Sequence, residues 1–74
     1  MRTISKSRDH FHGTHKGATV TIDREADGRF YIVVTDHGGS SLYDGWAPEN
    51  VTTMQDAKKE ALRGSMLDRE TANG

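Results

Sequence analysis

The sequence has no cysteine and one proline, and only 32% of its 74 residues are hydrophobic. The absence of cysteine excludes a disulfide framework, a thiolate metal site and a cysteine nucleophile. No apolar run approaches the roughly 20 residues needed to span a bilayer. Nor is there a cationic start followed by an apolar stretch, the mark of a secretory signal. These absences together read as a cytosolic protein. A chain of this length makes one small domain with a thin core, because short chains bury little more than half of their unfolded surface.

Charge is informative by segment. The net charge of -1 hides a basic start and an acidic body. Residues 1–17 carry Arg2, Lys6, Arg8 and Lys16 against Asp9 alone, a net +3. From Asp23 to Asp56, seven acids stand against Arg24 and Arg29, a net -5. A body this acidic repels nucleic-acid phosphates and attracts basic surfaces.

Periodicity predicts three strands and one helix. Residues 1–17 are polar and aperiodic, with Ile4 and Phe11 the only large apolar side chains after Met1, and read as a flexible, basic, histidine-containing arm. Residues 18–22 alternate with period two and are rich in β-branched side chains, which predicts a strand. Asp27-Gly28 supplies the positive φ of a hairpin turn. Residues 29–35 are apolar on both faces and make the central strand, with Phe30, Ile32 and Val34 on one side and Tyr31, Val33 and Thr35 on the other. Asp36-His37-Gly38-Gly39 forms a second turn, and a third strand covers residues 40–44. Residues 45–51 form a loop. Thr52 or Thr53 then caps a helix, Thr52-x-x-Gln55 fits a capping box, and Met54, Ala57, Ala61 and Leu62 form its narrow apolar face. Asp56–Lys59 and Glu60–Arg63 are i,i+3 charge pairs on the wet side. The expected fold is α+β: a three-stranded antiparallel meander with one C-terminal helix packed on one face, in the order β-β-β-α. The single domain covers residues 18–67, and residues 68–74 form a disordered tail.

Little in the sequence points to catalysis. His10, His12 and His15 have spacing that suits an imidazole metal site, but a glycine-containing arm lacks the rigidity and the second shell such a site requires. No metal site and no cofactor are therefore expected. Asp36-His37 lies in a turn with no marked nucleophile, and Gly38-Gly39 does not lead into a helix, so neither a general base nor a phosphate cradle is expected. The chain reads as a non-enzyme.

A helix can cover only one side of three strands. Tyr31, Val33 and Tyr43 are placed on the uncovered side, where tyrosine combines apolar area with a hydroxyl and suits a protein interface. Trp46 either plugs the end of the core or anchors a partner. The candidate partner-binding residues are Asp23, Glu25, Asp27, Tyr31, Asp36, Tyr43, Asp44, Trp46 and Glu49. The chain is expected to be a monomer or a weak homodimer, with no membrane contact and no direct contact with nucleic acid.

Two resemblances sharpen these expectations. Val20-Thr21-Ile22-Asp23, Asp27-Gly28-Arg29-Phe30-Tyr31 and residues 53–61, with a threonine cap and an alanine-rich helix, resemble the HicB-like antitoxin core. That likeness implies a domain that neutralises a small basic toxin. The short acidic body, with Tyr43-Asp44-Gly45-Trp46-Ala47-Pro48-Glu49, is similar to the small phage and mobile-element anti-CRISPR proteins that act on type I systems. This second resemblance implies an inhibitor in the cytoplasm of a bacterial host. It would bind a Cas subunit or the surveillance complex and block target DNA recognition through a DNA-mimicking acidic surface.

Overall fold

The computed structural model describes residues 1–67. Five strands and one helix follow one another along the chain: β1 (Arg2–Lys6), β2 (His10–His15), β3 (Ala18–Arg24), β4 (Phe30–Thr35), β5 (Ser41–Trp46) and α1 (Met54–Gly64). The strands form one antiparallel sheet in the order β1-β2-β3-β4-β5, so every strand pairs with its neighbour in sequence. The α+β class and the C-terminal helix are as expected; the count of three strands is not. Residues 1–17, expected to form a flexible arm, supply two further strands. The expected tail, residues 68–74, lies outside the described residues.

The missing strands have a local cause. Lys16 and Gly17 both have positive φ, 51° and 84°. Between the paired residues His15 and Ala18 they make a two-residue turn of the mirror-image type that suits strand twist. Phe11, in β2, faces Ile22 across the ladder and is 1% exposed. Gly13 follows two residues later on the same side, where a Cβ would stand 2.7 Å from the Phe11 ring. A buried phenylalanine thus closes over a glycine, and β2 becomes part of the core.

The core lies between the sheet and α1. Phe11, Ala18, Val20, Ile22, Phe30, Ile32 and Val34 are buried from the sheet, and Ala57 and Ala61 from the helix. Phe30, Ile32 and Val34 share the helix side as their alternation predicts, and Phe11 and Ala18 join Val20 and Ile22 beside them. Each large side chain among them contributes about 1.5–3 kcal/mol by leaving water. The side chain of Thr53 caps the helix by accepting from the Asp56 N–H at 3.1 Å, one residue later than the Thr52-x-x-Gln55 box. Glu60 and Arg63 form their ion pair at 2.8 Å. Asp56 and Lys59 form none among the described residues.

Candidate binding face

The face of the sheet away from α1 is set by strand register. Residues directly opposite one another in a ladder share a face. One row runs His10, Asp23, Tyr31 and Trp46 across four strands. The next runs Ser5, His12, Thr21, Val33 and Asp44 across all five. The open face is therefore threonine-rich at its centre and ends in aromatic residues near β5.

Its side chains hold one another in place. His10 Nδ1 lies 2.7 Å from Asp23 Oδ1, and His12 Nδ1 lies 3.1 Å from Thr21 Oγ1. The Tyr31 hydroxyl donates to Asp44 Oδ1. That hydrogen bond is the main cause of a Tyr31 pKa above the usual phenol value, followed by burial. The rings of Tyr31 and Trp46 meet edge to face, with centroids 5.0 Å apart. The Arg29 guanidinium sits 4.2 Å from the centre of the Trp46 ring and pairs with Asp27 at 3.3 Å. Trp46 remains 46% exposed. An aromatic pair and an arginine are thus ordered before any partner arrives, which lowers the entropy lost on binding.

The structure divides the nine sequence-derived candidates. Asp23, Tyr31, Asp44 and Trp46 come together on the open face. Tyr43 does not: it lies opposite Val34 on the helix side, and its hydroxyl donates to Glu60 on α1 at 2.9 Å. Its placement beside Tyr31 is corrected by the register shift between Val34 and Thr35, an irregularity that changes which β5 residues face the helix. Trp46 ends β5 on the open face, and so does not plug the core. Glu25 and Asp27 lie in the β3–β4 turn, whereas Asp36 lies in the β4–β5 turn at the other end of β4. Six residues of strand, about 20 Å, separate those ends. The Asp36 carboxylate accepts from the N–H groups of Gly38 and Ser40 and so shapes its own turn. Glu49 follows β5 in the loop to α1. These acids are spread around the fold and do not line one surface.

The sequence reading missed His10, His12 and Arg29 as members of the face. Alternation in residues 10–15 carries the signal for the two histidines, since only even positions there share the open side. His15, opposite Ala18, falls on the other side, so the three histidines do not converge. Among the described residues no group of three or more His, Asp or Glu side chains is placed to hold a metal ion. No helix among them is long and apolar enough to cross a membrane. No protein family, curated protein or solved structure matches the chain.

Proposed function

We propose that this chain is a non-enzymatic, inhibitory binding protein that receives a protein partner on the open face of its sheet. The carrying observation is Trp46, exposed yet held between Tyr31 and Arg29. Tryptophan, tyrosine and arginine are the side chains that most often dominate the energy of protein interfaces. Asp23 and Asp44 flank them and add negative charge that steers a basic partner.

In its narrower form, the partner is a Cas subunit of a type I CRISPR complex in a bacterial cytoplasm. Support comes from the segment that carries the anti-CRISPR resemblance, residues 43–49, because its first four residues lie in β5 and present Asp44 and Trp46 on the face described. Docking there would block target DNA recognition by occupying a lysine- and arginine-lined surface. The test is direct binding of purified type I Cas subunits, compared between the native chain and Trp46→Ala. Binding and inhibition that both fall at least tenfold support the proposal. Equal binding by the variant would refute the face; no binding to any such subunit would refute the partner. Rescue of cells from a small ribonuclease toxin would move the reading to an antitoxin.

A further inference from the structure

The charged side chains fall into two populations. Four carboxylates in or beside the strands are engaged: Asp9 with Arg24, Asp23 with His10, Asp27 with Arg29, Asp44 with Tyr31. By contrast Arg2, Lys6, Arg8, Lys58 and Lys59 form no ion pair among the described residues. Three lie in or just after β1, and two lie on α1. Of these five, Lys6, Lys58 and Lys59 fall on the helix side of the sheet, whereas Arg2 stands opposite Thr14 on the open side and Arg8 lines a hollow with Asp9, Arg24 and Glu25. Lys58 Nζ is 4.7 Å from the centre of the Phe11 ring, and Phe11 is the ladder partner of Lys6, so Lys6 and Lys58 share the helix side of the sheet. Thr3, Phe11, Gln55, Lys58, Lys59 and Leu62 line a groove of about 340 Å³, and among the described residues no carboxylate lines it.

The groove borders a sheet edge. β1 is the first strand of the sheet, all five of its residues are exposed, and among the described residues its outer row of main-chain N–H and C=O groups has no strand beside it. Such an edge is a template for a further strand. We propose that β1 and the groove beside it bind an extended acidic peptide segment, which joins the sheet as a sixth strand. Acidic residues at alternate positions would point toward Lys6, Lys58 and Lys59, while the backbone pairs with β1.

Three observations favour this occupant. A second copy of β1 would set Arg2, Lys6 and Arg8 against themselves, and like charges across a ladder are destabilising. A nucleic-acid phosphate only accepts hydrogen bonds, so it leaves the β1 carbonyls unmatched. Lys6, Lys58 and Lys59, without ion pairs among the described residues, match the peptide's carboxylates in charge. The site is distinct from the open face and does not depend on the proposal made for it.

The test is fluorescence anisotropy of a labelled peptide alternating glutamate and valine, with amide hydrogen exchange on the bound chain. Binding that weakens with salt, drops at least tenfold in Lys6→Glu and in Lys59→Glu, and slows exchange of β1 amides supports the proposal. Lys59→Glu is the decisive variant, since Lys59 is exposed on α1 and its loss should leave melting unchanged. Four outcomes would overturn it: no binding up to about 1 mM peptide; equal binding by both variants; tighter binding of a single-stranded thymidine oligonucleotide than of the peptide; or loss of peptide binding in Trp46→Ala with the lysines intact.

Discussion

Gly64 lies so close to the ring of Tyr43 that a Cβ at position 64 would overlap the ring's Cε2 atom. The last residue of α1 is thus matched in shape to β5. The Tyr43 hydroxyl then bonds Glu60, whose carboxylate also takes the Arg63 guanidinium. One glycine and one buffered carboxylate fasten the end of the helix to the sheet.

Gly64→Ala should therefore destabilise the protein by about 1–3 kcal/mol, because the ring must shift within a packed site. Gly45→Ala, where an added Cβ meets nothing within 4 Å, is the control. It should change stability by no more than about 0.5 kcal/mol. Thermal melts of the two variants check the contrast.

Stability should fall in strong base for a definable reason. Burial first, and the hydrogen bond to Glu60 second, push the Tyr43 pKa up to about 12 from 10.0. Between those values the unfolded chain releases a proton that the folded chain keeps, so rising pH favours unfolding. The contribution is intact below pH 10 and is lost as pH climbs toward 12. Tyr43→Phe should flatten this decline in melting temperature far more than Tyr31→Phe.

Phe11→Ala tests whether residues 10–15 belong to the core. Removing a buried phenylalanine costs about 3–5 kcal/mol, comparable to the whole stability expected of so small a domain. The variant should melt far below the native chain by circular dichroism. An unchanged melt would show that β2 contributes little to the fold.

Trp46→Ala should behave in the opposite way. Nearly half of Trp46 is exposed, so its loss should leave melting within a few degrees of native. Any partner held on the open face should bind at least tenfold more weakly, as read by interferometry. A large drop in melting temperature would instead make Trp46 a structural residue.

Two of the three strands legible in sequence bury a row of branched or aromatic side chains. β3 and β4 alternate over Val20, Ile22, Phe30, Ile32 and Val34, and α1 repeats over Ala57 and Ala61 at helical spacing. β1 and β2 gave no such pattern. Every residue of β1 is exposed, and β2 buries only Phe11 and Gly13, one of which has no side chain for hydropathy to register. Their pairing comes from the Lys16-Gly17 turn, and lysine does not advertise positive φ. The strand position of Trp46 was hidden for a related reason: Gly45 and Pro48 look like loop residues, yet β5 continues through Gly45. The open face followed from β4 alternation, but its membership depended on register. That is why Tyr43 fell on the wrong side and His10 and His12 were not seen as its members.

The meander has a kinetic consequence. Because each strand meets only the one just before or after it in the chain, every sheet contact closes a short loop before the helix arrives. Loop closures of this size cost little entropy, and folds built from them reach the native state quickly. With no cystine to form, the main refolding phase should be fast in stopped-flow mixing.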